Sequence, residues 1–362
     1  MDRCLGPGRD VDRVRINDKR ALLRQFAGGV ARYLTNAPLR RSIHAATVRQ
    51  LWQLPKNGVM HTYYRHHATF QTLIAPTTGR VDILATRHVS YLAHVIQESI
   101  ERLGIISQIY YDDEILHDFG QRFVVLCPHV FPAMPQRYIA FQLEQSVSSR
   151  WFTPECIRRL KKAEAVWEYS LLNMQFLVEH GVRLDQLVFM PITTAPDYPA
   201  LLATIYPQFA MPIAKTIDVL FYGDPHSPRR QAFLTQLQKR FAVRIVDKVF
   251  GIELMHLVAS AKLVANIHYY EGALLETTRL SEAMSLGIPV VSETAADQAD
   301  HARLANAVRF TPVGDVDAMV TAIAELLDNP ATYAAQLAEV AALQQCDTRF
   351  ADAVTLALQR SA

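Results

Sequence analysis

The sequence predicts an α/β protein of two tandem Rossmann-like domains that face each other across a cleft. Three observations carry this. The chain has 362 residues, too many for one ordinary core and suited to two domains of roughly 150 to 200 residues. Half of the residues are hydrophobic and a fifth charged, the balance of a well-packed globular protein. From about residue 78 onward, short apolar runs alternate with amphipathic ones, pause at a Pro-rich stretch, and then resume.

VDILATRH (81–88) is an apolar run with a polar end, followed by the helical SYLAHVIQESIERLG, which stops at Gly104. IISQIYYDD, RFVVLCPHVF and RYIAFQLEQ read as further buried strands, each ending in charged or hydrogen-bonding residues. AEAVWEYS (163–170) is another, and Ser170 can cap the helix SLLNMQFLVEHG, which ends at Gly181. LVFMPI (187–192) closes this half. DYPALLATIYPQFAMPIAKT (197–216) is Pro-rich and weakly periodic, a linker candidate. The strands then restart with IDVLFYGD (217–224), AVRIVDKVFG (242–251), AKLVANIHYY (261–270), PVVSE (289–293) and VRFTPV (308–313). GDVDAMVTAIAELLDNP is a closing helix, with Asp315 near its start and Pro330 past its end. Apolar strands alternating with helices imply parallel sheets covered on both faces. The expected divisions are a basic, partly helical extension (1–77), an N-terminal domain (78–200), a linker (201–216), a C-terminal domain (217–345) and a C-terminal helix packing back on the N-terminal domain (346–362).

Net charge is +2, so nucleic acid is not an expected partner. The first fifty residues nevertheless hold eleven Lys and Arg against four Asp, a segment suited either to a solvated helical arm or to an anionic membrane surface. No run of about 18 uncharged apolar residues occurs, so no membrane-spanning helix is expected. The opening residues lack the pattern of a secretory signal. Cys4, Cys127, Cys156 and Cys346 lie far apart, which argues against a zinc site and a disulfide framework. The expected compartment is the cytoplasm, with peripheral contact at the inner membrane face through the basic segment.

The stretch EGALLETTRLSEAMSLGIPVVSE (271–293) places charge beside dense apolar packing. A helix from about Thr277 to Leu286 puts Leu280, Ala283, Met284 and Gly287 on one stripe facing the sheet. Arg279 and Glu282 then sit together, one turn in. Gly272 in the preceding loop leaves room for a ligand to approach the backbone. The first-turn amides and the helix dipole favour an anion near Thr277 and Thr278. Arg279 adds a fork that matches phosphate, and Glu282 accepts hydrogen bonds from paired hydroxyls. Phosphate grip beside hydroxyl grip describes a sugar nucleotide, in a cleft beyond the strands' carboxyl ends. The plainer alternative, Arg279 pairing with Glu276 or Glu282 on a helix surface, fits less well with a loop opening toward that cleft.

The series Glu276, Arg279, Glu282, Ala283, Gly287 and Pro289 to Glu293 resembles the nucleotide-sugar motif of GT-B glycosyltransferases, in the group reading NIHYYE and then LExxRxxEA. IDVLFYGD resembles the first strand and glycine loop of their donor domain, and AEAVWEYS to LVFMPI the end of their acceptor domain. The resemblance spans roughly 80–345. It implies a metal-independent hexosyl or related transferase that needs no cofactor. Such an enzyme moves a sugar from a nucleoside-diphosphate donor to a hydroxyl on a glycan, glycolipid or other acceptor. Many retaining members carry two glutamates eight positions apart; here the earlier position is Leu274, with Glu276 and Glu271 nearby. The stereochemical outcome stays open.

The candidate donor site therefore comprises Gly223, Arg229, Lys248, Phe250, Tyr270, Glu271, Gly272, Thr277, Thr278, Arg279 and Glu282. Ser227 and Arg230 lie within reach of Gly223, and at least one of His268, Tyr269 and Tyr270 is expected to line the cleft. Arg279 and Glu276 are the catalytic candidates on this side. An inverting enzyme needs a base for the acceptor hydroxyl, and His88, beside Arg87, and His129 and Glu144 are candidates. A retaining one relies mainly on stabilising the leaving diphosphate. Asp112, Asp113 and Glu114 read as an acidic turn rather than a metal motif. His61, His66 and His67 lack ligand-spaced partners. Two other readings keep the fold: a sugar-nucleotide 2-epimerase or phosphorylase-like enzyme, and a non-catalytic nucleotide-sugar-binding subunit.

Overall fold

The computed structural model describes residues 79–360, apart from 115, 117–119, 148–150 and 347–348. The basic N-terminal segment, His61, His66, His67 and Cys4 lie outside the described residues.

The first half forms a six-stranded parallel sheet in the order β2-β1-β3-β4-β5-β6. Its strands are β1 (Val81–Ala85), β2 (Ile109–Tyr111), β3 (Arg122–Leu126), β4 (Tyr138–Gln142), β5 (Ala165–Glu168) and β6 (Leu187–Phe189). Helix α1 (Ser90–Arg102) follows β1; α2 (Pro154–Lys162) and α3 (Leu171–Glu179) flank β5. Alternate residues feed opposite faces. Ile83, Val124, Ile139 and Trp167 enter one core, and Leu84, Phe123, Val125 and Val166 the other, so the run VDILA is buried throughout. Thr153 caps α2 from its side chain, ahead of Pro154 in the first turn.

The stretch expected to be a linker instead contains helix α4 (Tyr198–Ile205). Asp197 sits at its N-cap and Pro199 in its first turn. Tyr198 and Leu202, one turn apart, are wholly buried in the first core. Two buried side chains on one face outweigh weak periodicity elsewhere.

The second half is a five-stranded parallel sheet in the order β11-β10-β9-β7-β8. Its strands are β7 (Ile217–Tyr222), β8 (Val243–Val246), β9 (Ala261–Asn266), β10 (Val290–Glu293) and β11 (Val308–Thr311). The helices are α5 (Pro228–Arg240), α6 (Gly251–Ala259), α7 (Thr277–Ser285), α8 (Val316–Asp328) and α9 (Pro330–Cys346). Leu280, Ala283 and Met284 of α7 are fully buried in one of this sheet's cores.

The chain then returns. Helix α10 (Arg349–Arg360) packs on α1 in the first core through Phe350, Val354, Ala357 and Leu358. The Phe350 ring lies 6.1 Å from that of Phe141. Where the halves meet, Tyr91 of α1 donates to Thr193 O at 2.8 Å and lies 3.0 Å from Ser285 Oγ at the end of α7. In each sheet the strand order reverses at one point, between β1 and β3 and between β7 and β9, and the crevice beyond such a reversal is where α/β sheets hold ligands. Here the two crevices open onto each other. Among the described residues no helix is long and apolar enough to cross a membrane.

Candidate functional site

A cavity of about 320 Å³ occupies that junction, within the size range of small-molecule sites. Its first-domain wall is His88, Val89, Cys127, Leu143, Glu144, Gln145 and Tyr169. Its second-domain wall is Tyr222, Gly223, Asp224, residues 246–250, Leu254, residues 276–279 and Glu282. Cys127 (φ 54°) and Lys248 (φ 57°) are the two non-glycine residues in left-handed backbone among the described residues, and both line this cavity. Such strain persists where surrounding structure imposes it, often at functional sites.

Two guanidiniums converge on Gly223. A Cβ placed there would lie 3.3 Å from Arg230 Nη1 and 3.3 Å from Arg279 Nη2. Its φ of 130° also suits glycine alone. Arg279 donates to Asn266 Oδ1 at 2.6 Å and lies over the Tyr222 ring at 5.3 Å. Arg230 is 4% exposed and donates to the carbonyls of Ile267 and Asp224, both at 2.9 Å. Burial, then the neighbouring Arg279, lower its pKa to about 10, so Arg230 remains cationic at neutral pH. The Arg279 Nε and the Thr277 hydroxyl are buried without a partner. Buried donors without acceptors are rare and call for explanation.

The Glu276 carboxylate, whose charge reaches both guanidiniums, has its main partner elsewhere. Glu276 Oε2 lies 2.7 Å from His268 Nδ1 and accepts from Asn266 Nδ2 at 3.0 Å. Burial alone would push the Glu276 carboxyl up; His268, then Arg279 and Asn266, overcome this and hold it at about 2. The other ring nitrogen of His268 faces Thr294 O at 3.0 Å. Both partners are acceptors, so the ring donates from both nitrogens as an imidazolium. Burial opposes this charge, but Glu276 and Glu293 raise its pKa above the ordinary value. Glu276 is thus neutralised from behind, and Arg230 and Arg279 keep their charge for whatever enters the cavity. No side chain caps α7, and its start adds the field of its unpaired amides.

Glu282 is 6% exposed and accepts from the Tyr222 hydroxyl at 3.2 Å. Burial raises its pKa to about 7, against the hydrogen bond from Tyr222 and the charge of Arg279. It is a hydroxyl acceptor whose ionisation turns over near neutrality.

On the facing wall, His88 stands exposed at the cavity edge, with Nδ1 2.6 Å from Thr86 Oγ1 and Nε2 3.7 Å from Cys127 Sγ. Surrounding protein lowers its pKa and Glu144 opposes that, so it is a neutral imidazole at pH 7. Glu144 Oε1 lies 3.3 Å from His129 Nε2. The Phe250 ring meets His88 edge-on across the cleft at 6.0 Å.

The structure therefore brings His88, Glu144, Gly223, Lys248, Phe250, Glu276, Thr277, Thr278, Arg279 and Glu282 to one cavity. Four expected donor-site residues lie elsewhere. Arg229 forms a paired-oxygen ion pair with the buried Glu293 and also donates to His268 O at 3.2 Å; a fully buried carboxylate needs a cation, and Arg229 supplies it. Tyr270 packs edge-on against Tyr269, while Glu271 and Gly272 are exposed in a turn. Tyr222, Asn266 and Gln145 were not singled out from the sequence. The first two end strands at the reversal point, which is the signal that could have found them. Asp113 and Glu114 pair with Arg87 at 3.0 and 3.5 Å. Among the described residues no group of three or more His, Cys, Asp or Glu is arranged to hold a metal ion.

Residues 198–329 match the family described as Glycosyl transferases group 1, a segment running from α4 through α8. No curated protein matches the chain. Among solved structures, the chain is similar to sucrose-phosphate synthase from Thermosynechococcus elongatus, with 14% identity and a TM-score of 0.51, over 78% of this chain and 98% of that one. It is also similar to Anabaena HepE in complex with UDP (10% identity, 78% and 99% covered, TM-score 0.47). A third is WaaG, a glycosyltransferase involved in lipopolysaccharide biosynthesis (12%, 76% and 99%, 0.49). The fold is α/β with two parallel sheets, the arrangement of GT-B glycosyltransferases.

Proposed function

We propose that this protein transfers a hexosyl or related group from a nucleoside-diphosphate sugar to a hydroxyl on a glycan, glycolipid or other acceptor, without a cofactor or metal. One observation carries the reading: Arg230 and Arg279 converge on Gly223 beside the uncapped start of α7, and Glu276, whose charge reaches both, is already matched by His268. Two guanidiniums that each come within 3.3 Å of the Gly223 Cβ position suit a diphosphate. The match of the second half to Glycosyl transferases group 1 supports this.

In this reading Arg279, Arg230, the Thr277 hydroxyl and the first-turn amides of α7 neutralise the diphosphate as it departs. Glu282 accepts from donor hydroxyls. Glu276, ionised by its setting, faces the sugar with the carboxylate oxygen that His268 does not use. His88 and Glu144 stand opposite, where an acceptor hydroxyl would lose its proton. The basic residues of 1–50, outside the described region, remain the candidate for peripheral membrane contact at the cytoplasmic face.

The test is calorimetry with UDP, GDP, dTDP and CMP. One of the diphosphates should bind and the monophosphate should bind far more weakly. Arg279→Ala should weaken the bound diphosphate by roughly ten- to hundredfold, the worth of a charge-assisted hydrogen bond of about 1.5–3 kcal/mol. An unchanged Kd would remove Arg279 from the site. Transfer or donor hydrolysis by the purified chain then separates a transferase from a binding subunit.

A further inference from the structure

The loop between β9 and α7 is held by its main chain from the opposite domain. Leu274 N donates to Gln145 Oε1 at 2.9 Å, and Gln145 Nε2 donates to Leu274 O at 3.0 Å. One amide side chain thus closes a two-bond ring on one residue's backbone, as a neighbouring strand would. The next residue is fixed from within the second domain, where Leu275 N donates to Asp297 Oδ1 at 2.9 Å. Glu276 and α7 follow directly.

Gln145 is presented by a loop that the first domain shapes on its own. Glu144 N donates to Gln142 Oε1 at 2.7 Å, and Glu144 O accepts from Gln142 and Asn173 at 2.6 and 2.8 Å. Ser146 N donates to Asn173 Oδ1 at 2.9 Å. Gln142 and Asn173 also donate to the buried Glu168, at 3.2 and 3.0 Å. With the loop already braced, the Gln145 side chain is committed to the other domain.

Helix α7 is therefore gripped at both ends by the first half. At its far end, Ser285 meets Tyr91 and accepts from Ala195 N at 2.8 Å, all wholly or largely buried beside the crossing segment. At its near end the grip is Gln145, half-buried on the cavity wall. The far grip is thus the more buried of the two, and the near one borders the cavity.

We propose that Gln145 is a positioning residue: its amide, clasping the Leu274 backbone, sets the loop that leads into α7, so that the nucleotide-sugar pocket is completed only when the two domains are docked. The functional consequence rests on the reading of the cavity as a donor site, but the clasp itself does not.

Hydrogen–deuterium exchange tests both. Gln145→Leu is apolar and one carbon shorter, and removes both bonds. The segment spanning 273–276 should then exchange about tenfold faster or more, the effect of losing one or two ordinary hydrogen bonds, with β9 unchanged. Adding UDP as probe to the wild type should slow exchange at both 144–146 and 273–276. In the variant only 273–276 should slow, a coupling that a merely structural side chain would not alter. Unchanged exchange at 273–276 in Gln145→Leu, or UDP still protecting both segments in the variant, would overturn the proposal. If UDP protects nothing in the wild type, the nucleotide part fails while the ligand-free comparison still decides the clasp. Should Gln145→Leu not fold, Gln145→Asn, one methylene too short to span both bonds, gives the same readout.

Discussion

At the scale of the residue, Glu282 shows how one setting serves function against stability. Burial holds its pKa near 7, well above the ordinary carboxyl value of 4.5. The folded protein therefore retains a proton that the unfolded chain releases between about pH 4.5 and 7. By linkage, that contribution to stability is fully present below pH 4.5 and disappears as pH rises through 7, a difference on the order of 3 kcal/mol. Glu282→Gln, which still accepts from Tyr222, should raise the unfolding temperature at pH 8 and leave it unchanged near pH 4. The same change should weaken sugar-nucleotide binding at pH 8 and flatten the loss of wild-type affinity as pH falls below 7. Melting curves and calorimetry across that range check both; equal unfolding temperatures at pH 8 would show that Glu282 carries no such burden. Arg279 and Glu282 were legible in the sequence because charge at helical spacing inside an apolar segment is costly. Arg229 misled because adjacent arginines look alike in one dimension. The buried Glu293 takes Arg229, while Arg230 turns toward Gly223.

At the scale of the element, the turn after β7 and the start of α7 form one unit. Gly223→Ala would push a methyl against both guanidiniums from a backbone angle that L residues rarely adopt. It should cost about 1–3 kcal/mol of stability and weaken diphosphate binding tenfold or more. Gly272→Ala is the matched control. It also sits at positive φ, but with open space around its added methyl, so it should cost about 1 kcal/mol and leave the nucleotide Kd untouched. Equal effects at the two glycines would mean that strain, not the guanidinium pair, governs binding. Strands and helices of both sheets were readable from apolar runs and caps. Helix α2 was not singled out, although Thr153, Pro154 and Glu155 spell its start. The clasp of Gln145 on Leu274 had no sequence signal, since one polar side chain serving a backbone 129 positions away leaves no local pattern.

At the scale of the whole molecule, the order of the two domains was legible because the β/α alternation pauses and restarts. Their mutual packing was not, because it depends on single contacts such as Tyr91 to Ser285. The first core is finished only by α10. Phe350 is 1% exposed and packs against Phe141. Phe350→Ala should destabilise the first domain by about 3–5 kcal/mol, read as a lower urea midpoint for probes in that domain. A midpoint unchanged there would mean that α10 is dispensable to the first core.

The return of α10 has a further consequence for anyone recombining such proteins. The second half is, in chain terms, a cassette spliced into the other half, entered after α4, which packs in the first core, and left between Cys346 and Arg349. Grafting a foreign cassette therefore takes two joints. A chimera made with a single crossover would leave Tyr91 and Phe141 facing a helix that evolved against a different partner.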